Sequence, residues 1–256
     1  MAQKSTAQDN VTILEPMSMR TLDRQRTIRL YLPPEYASSS EAYPVIYAHD
    51  GQNLFDDTTS YVGEWGLDES LNQLAEETGF KIIVVGIDHG NEKRLNELSP
   101  WTNEKYGPAE GEAYMAFIVE QLKPMIDSVY RTRTDPKHTA IMGSSMGGLI
   151  SHYAIHQYPD VFGKAIIFSP SYWYADEVWD FTMANPLPND TRLWLEIGAK
   201  EGEAVDDINK MYEVIDETGH PENNVSKSVD PDGEHNEASW KQQFIPALKW
   251  LFEINE

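Results

Sequence analysis

The chain has 256 residues, 42 acidic against 20 basic for a net charge of −22, and no cysteine. The missing thiols exclude disulfides, zinc–thiolate sites and a cysteine nucleophile. The acidic field excludes phosphate backbones, so no nucleic-acid partner is expected, and the length suits one domain with a core of its own.

The first stretch, MAQKSTAQDNVTILEP, has no apolar h-region and reads as no signal peptide. No apolar run reaches the roughly 20 residues that a membrane span needs. The expectation is a soluble, cytoplasmic protein without membrane contact: a single domain over 1–256, with 1–10 as a flexible amino-terminal segment. QRTIRLYLPP reads as a strand stopped by Pro33 and Pro34. YPVIYAHD (43–50) is a short buried strand before the turn-rich DGQN. Residues 64–79 read as a helix with Trp65, Leu67, Leu71 and Leu74 on one face and Gly79 at its end. KIIVVGID (81–88) is a buried strand, and a polar loop over roughly 89–111 is long enough to carry function. A long helix follows, striped by Tyr114, Ile118, Leu122, Met125 and Val129, and Pro124 is expected to kink it.

HTAIMG is a strand, 146–157 a helix, and KAIIFSP and RLWLEIG (192–198) are further strands. Residues 203–218 read as a helix, NVSKSVDP as the last strand and ASWKQQFIPALKWLFEI as the closing helix. This alternation predicts the α/β class: a mostly parallel sheet covered by helices on both faces. Ligands of such sheets bind at the carboxyl ends of the strands.

KHTAIMGSSMGGLISHYAIH (137–156) places a G-x-S-x-G motif at a strand-to-helix junction: Gly143, Ser144, Ser145, Met146, Gly147. Only Ser145 stands at the centre, because Met142 lies two before Ser144. A serine nucleophile on so tight a turn needs small residues two before and two after it. The Met146 N–H, at the helix start, then faces a developing oxyanion. A serine nucleophile needs an imidazole and a carboxylate, which in this architecture follow in the order serine, acid, histidine. His235, in DPDGEHNEASW between the last strand and the last helix, is the candidate base. His220, in ETGHPENN, reads as a solvated turn residue. His152 and His156 are a helical turn apart without an H-E-x-x-H pattern, which suits packing or exposure better than a metal. Glu201, three residues beyond Gly198, is the candidate acid. Glu203, Asp206 and Asp207 compete, but helix-start acids serve the dipole.

At this point the residues resemble the putative-esterase branch of the α/β-hydrolases, which includes esterase D, feruloyl and acetylxylan esterases and siderophore-ester hydrolases. The resemblance runs from about residue 25 to 252 through RLYLPPEY, YPVIYAHDGQNLFD, IIVVGID, RLNELSPW, the elbow segment, LEIGAKEGE and DGEHNEASWKQQFIPALKWLF. It implies the α/β-hydrolase fold with no large lid domain, no cofactor and no metal. It also implies a serine esterase that forms an acyl-enzyme with Ser145, Glu201 and His235, although many members have aspartate where Glu201 stands. The second oxyanion donor would be the backbone N–H of Gln52, with Asn53 as the alternative. The substrate would be a small-molecule ester: short acyl, hydroxycinnamoyl or sugar type, with siderophore or peptide esters as an alternative. Loops 52–63, 89–111 and 170–190 would line the pocket, with Trp101, Tyr172 and Trp173 as its aromatics. Two other readings stay open: a ligand receptor built on this fold, and a metal site in DPDGEHNE using Asp230, Asp232, His235 and Glu237. The oligomeric state is left open, a homodimer being one arrangement.

Overall fold

The computed structural model of the protein describes residues 4–254. Ten strands run in chain order: β1 (Val11–Ile13), β2 (Met17–Met19), β3 (Arg24–Arg26), β4 (Ile28–Tyr31), β5 (Val45–His49), β6 (Ile83–Ile87), β7 (Thr139–Ser144), β8 (Lys164–Phe168), β9 (Arg192–Gly198) and β10 (Val225–Asp230). Eight of them form one sheet in the order β1-β4-β6-β5-β7-β8-β9-β10, and β2 and β3 form a separate antiparallel pair. Pairing is antiparallel at β1–β4 and β4–β6 and parallel from β6 to β10. The fold class is therefore as expected.

Side-chain alternation along the strands feeds two cores. Val45, Tyr47, Ile141, Ile167, Leu195 and Ile197 pack against the helix Met146–Gln157 and the helical stretch over 111–129 on one face. Ile46, Ala48, Met142, Ile166 and Trp194 pack on the other against Leu67, Leu71 and Leu74 of the helix Leu67–Thr78 and Trp240, Phe244 and Leu248 of the helix Glu237–Phe252. Each buried leucine or isoleucine side chain contributes about 1.5–3 kcal/mol, so this double layer can hold strained backbone at the strand ends. Gly79 ends its helix with φ 75°, a left-handed cap open to glycine without penalty.

Three local expectations differ. The segment around Pro124 carries a π-helical turn at Ile118–Leu122, between the α-helices Gly111–Phe117 and Lys123–Val129. The proline lacks the N–H that would close an ordinary turn there. Residues 1–3 of the supposed flexible segment lie outside the described residues, whereas residues 5–10 are tied down. Ser5 Oγ donates to Asp56 at 2.6 Å, Gln8 N–H to Asp68 at 2.8 Å and Asn10 Nδ2 to the Leu32 carbonyl at 2.8 Å. His220 is buried rather than solvated, with Nε2 3.1 Å from the Thr191 carbonyl. Among the described residues no helix is long and apolar enough to cross a membrane.

Candidate active site

Ser145 sits between the end of β7 and the first residue of the helix Met146–Gln157, at φ 57° and ψ −121°. A non-glycine residue with positive φ is strained and persists only where its surroundings hold it. Its N–H donates to the Phe168 carbonyl at 3.0 Å, and its carbonyl accepts from Leu149 N–H and Ser171 N–H, both at 3.1 Å. Steric crowding explains the motif: a Cβ on Gly143 would lie 2.4 Å from the Gly147 carbonyl oxygen. Ser144 is buried at 8% exposure, consistent with the register that makes Ser145 the presented serine. The Ser145 hydroxyl lies 3.2 Å from that of Ser171. Met146 N–H, in the first turn, has no acceptor within its own helix.

β9 ends at Gly198, and the 3-10 turn Ala199–Glu201 carries the carboxylate back over the sheet edge. Glu201 Oε1 accepts from Gly198 N–H at 2.9 Å and Ser169 Oγ at 2.6 Å, while Oε2 meets His235 Nδ1 at 2.6 Å. Ser169 accepts in turn from the Trp240 indole N–H at 2.8 Å. Burial works to raise the pKa of Glu201. The hydrogen bonds from His235, Ser169 and Gly198 outweigh it and hold the carboxyl below the usual carboxylate range. The His235 ring packs edge-on against Trp240, with centroids 5.1 Å apart. With Nδ1 engaged by Glu201, Nε2 is the nitrogen free to exchange a proton in the cleft.

Ser144, Ser145 and His235 line one cleft of about 320 Å³, together with Asp50, Asn53, Tyr61, Val62, His89, Arg94, Glu237 and Trp240. Arg94 clasps Asp50 through two hydrogen bonds of 2.7 and 2.8 Å. Burial alone would raise the pKa of Asp50, but the adjacent guanidinium holds it below its usual value. Beside the cleft, Gln52 lies in a three-residue 3-10 turn, Gly51–Asn53. Asn53 N–H is engaged by the Asp50 carbonyl at 2.9 Å, whereas the Gln52 N–H has no acceptor within so short a turn.

The expected aromatic pocket is not the cleft. Tyr172 is buried at 1% exposure, and its hydroxyl lies 3.0 Å from His152 Nδ1. Trp101 packs edge-on against Tyr153 and Phe181. Trp173 is 59% exposed and lies edge-on against Tyr106 and Tyr174. The chain leaving β8 is pinned beneath the elbow by the Ser171 N–H bond to the Ser145 carbonyl, and its aromatics then join the core or the outer surface. Loops 52–63 and 89–111 do contribute lining residues, but 170–190 does not. Sequence reasoning weighed Glu237 only as a metal ligand and did not place Trp240 in the site. Their signal was position: they stand two and five residues beyond His235, at the start of the next helix. The DPDGEHNE residues diverge, since Asp230 accepts from Gln243 and Asp232 N–H while Glu237 turns to Asn53. His152 and His156 are both buried, bonded to Thr182 and to the Asn185 carbonyl respectively.

The sequence matches the family described as Putative esterase over residues 19–251. The uncharacterised protein YbbA of Bacillus subtilis (strain 168) is 29% identical over 244 residues, covering 90% of this chain and 94% of YbbA. The crystal structure of the BES protein from Bacillus cereus has the same fold, with a TM-score of 0.78 at 22% identity and 98% coverage of both chains. The enterobactin esterase FES from Shigella flexneri gives a TM-score of 0.80 at 17% identity, covering 96% of this chain and 60% of FES. With the family match spanning seven of the eight strands of the sheet, β4 to β10, the elbow and the segment that carries His235, the chain belongs to the Putative esterase family and is a carboxylic ester hydrolase.

Proposed function

We propose that the protein hydrolyses its ester through an acyl-enzyme on Ser145, with His235 as proton carrier and Glu201 as the anion that orients it. The observation that carries this reading is the 2.6 Å contact of the buried Glu201 with His235, which lines the same cleft as the strained Ser145. The Ser145 oxygen attacks the ester carbonyl carbon and its proton passes to His235 Nε2. The carbonyl electron pair moves onto oxygen, where the N–H groups of Met146 and Gln52 would stabilise it. Collapse expels the alkoxide, which takes the proton from His235. Water then repeats the sequence on the acyl-enzyme and releases the acid. Glu201 stays ionised throughout and stabilises the imidazolium.

The cleft is small, and its walls are apolar and polar in similar measure, with Val62, Tyr61 and Trp240 beside the charged groups. It opens beside a second chamber of about 540 Å³ that shares Tyr61 and His89 with it. This combination supports an ester with a short acyl group beside the serine and a larger polar portion in the chamber, as in a sugar-type ester. The test is turnover of p-nitrophenyl acetate and butyrate, with fluorophosphonate labelling of the intact protein. Labelling of one serine is expected, together with loss of turnover on the order of a million-fold in Ser145→Ala. An active Ser145→Ala protein, or a dead Ser144→Ala protein beside it, refutes the assignment. A wild-type protein that binds ester without turning it over returns the reading to a receptor.

A further inference from the structure

The proposed reaction leaves Glu237 without a role, although it lines the cleft at only 8% exposure and stands two residues from His235. Its Oε1 accepts from Asn53 Nδ2 at 3.2 Å. The Asn53 amide oxygen accepts from Gln52 Nε2 at 3.2 Å, and Gln52 Oε1 accepts from the His89 N–H at 3.1 Å. A single line of side-chain hydrogen bonds thus joins the loop bearing the base to the turn 50–53 and to the end of β6. The rest of that turn is also held. The Gln52 carbonyl accepts from Thr59 Oγ at 2.8 Å and the Asn53 carbonyl from Trp65 N–H at 2.8 Å. The Asn53 N–H is spent on Asp50. The Gln52 N–H is a donor that no hydrogen bond within the turn takes up.

We propose that Glu237 is a positioning residue: through Asn53 and Gln52 it fixes the turn that presents the second oxyanion donor, coupling that donor to the loop of His235. The inference rests on the proposed nucleophilic role of Ser145. Oxyanion donors act by being placed before charge develops, so a small displacement removes most of their effect. Ground-state binding of the ester does not depend on them to the same degree. The loss should therefore fall on kcat and spare KM. The neutral amide of glutamine also offers a carbonyl oxygen to Asn53 Nδ2, so Glu237→Gln should preserve the line where Glu237→Ala cuts it.

The experiment measures kcat and KM on p-nitrophenyl butyrate, with active-site titration, for wild type, Glu237→Ala, Glu237→Gln and Asn53→Ala. Binding of a trifluoromethyl ketone, whose adduct carries the oxyanion, is measured in parallel. Glu237→Ala should lower kcat per titrated site by about 10- to 100-fold with KM held within about threefold, and should weaken the ketone by the same factor as kcat. Asn53→Ala should do the same, the double variant should lose no more than the worse single, and Glu237→Gln should recover most of kcat. A drop confined to the titratable fraction, a rise in KM alone, or failure of glutamine to rescue overturns the proposal. Wild-type kcat in Glu237→Ala beside a dead Ser145→Ala overturns this inference and leaves the nucleophile standing. An active Ser145→Ala overturns both.

Discussion

Replacing Glu201 with glutamine exchanges one carboxylate oxygen for an amide nitrogen in a site where every contact is defined. Oε1 receives Ser169 Oγ and Gly198 N–H, both donors, so the amide oxygen is expected to stay on that side. The amide nitrogen then replaces Oε2, 2.6 Å from His235 Nδ1. Two donors cannot face each other at that distance, so the imidazole must place its proton on Nε2 and accept at Nδ1. That tautomer offers Ser145 an N–H where a lone pair is required. In a serine protease the corresponding wrong-tautomer change lowers kcat by roughly 10⁴-fold, which corresponds to about 5.5 kcal/mol of barrier. Folding should lose far less, about 1–2 kcal/mol, because two of the three hydrogen bonds survive. The carboxylate bonded to His235 is that of Glu201, whereas Glu203 takes the N-cap position of the next helix without a side-chain cap bond and Asp206 and Asp207 lie in its first turn. Their amide variants should change kcat little and stability by about 0.3–1 kcal/mol through the helix dipole. Steady-state kcat and urea unfolding for all four variants separate the roles. A Glu201→Gln enzyme within tenfold of wild type, or a dead Asp206→Asn or Asp207→Asn enzyme, refutes the assignment.

Gly143→Ala should destabilise the fold by about 3 kcal/mol or more and shift the elbow, because its Cβ would meet the Gly147 backbone at 2.4–2.5 Å; retained melting temperature and kcat would contradict this. Burial holds His49 and His156 neutral, each with its pKa lowered from 6.5 to about 4. Between those values the unfolded chain binds more protons, so their contribution is complete above pH 6.5 and drains away as pH falls toward 4. At pH 5 each should cost about 2 kcal/mol. Urea unfolding at pH 7 and 5 should show a smaller acid loss in His156→Gln than in wild type, and an equal loss would refute the assignment.

The elbow was legible in sequence because its constraint is steric and local. Gly143 cannot carry a side chain against the Gly147 backbone, and Gly147 has little room beside His49, so small residues must flank Ser145 at that spacing. The candidate base and acid were legible from chain order and from strand ends. The aromatic pocket was not. Tyr172 and Trp173 are adjacent, yet one is buried and the other 59% exposed. The backbone path after β8 decides this, and no periodicity encodes it. The three-residue strands β1, β2 and β3 are likewise too short for an alternation to show. Arg94 sat in a recognised stretch, RLNELSPW, but its partner Asp50 is 44 residues away. Ion pairs closed by the fold leave no mark on local pattern.

The sheet register explains why these distant residues meet. Ser144 pairs with Phe168, Phe168 with Glu196 and Glu196 with Ser228, so one rung crosses β7, β8, β9 and β10. Ser145 and Ser169 each stand one residue past that rung, both with positive φ, 57° and 42°. Each donates its N–H to the rung carbonyl of the next strand: Ser145 to Phe168 at 3.0 Å and Ser169 to Glu196 at 2.7 Å. A positive-φ residue with its N–H bonded across to the next strand thus occurs twice, side by side. The first presents the candidate nucleophile, and the second presents the hydroxyl that holds Glu201. Two residues beyond the rung, Gly198 pairs with Asp230, and a Cβ there would lie 2.3 Å from the Gly233 backbone. That close approach brings the His235 loop down over Glu201. Parallel pairing one residue out of register would flip Ser169 away from Glu201 and reverse every inward side chain of β9. The apolar cores on both faces therefore set the register, and the register sets the spacing of serine, acid and base.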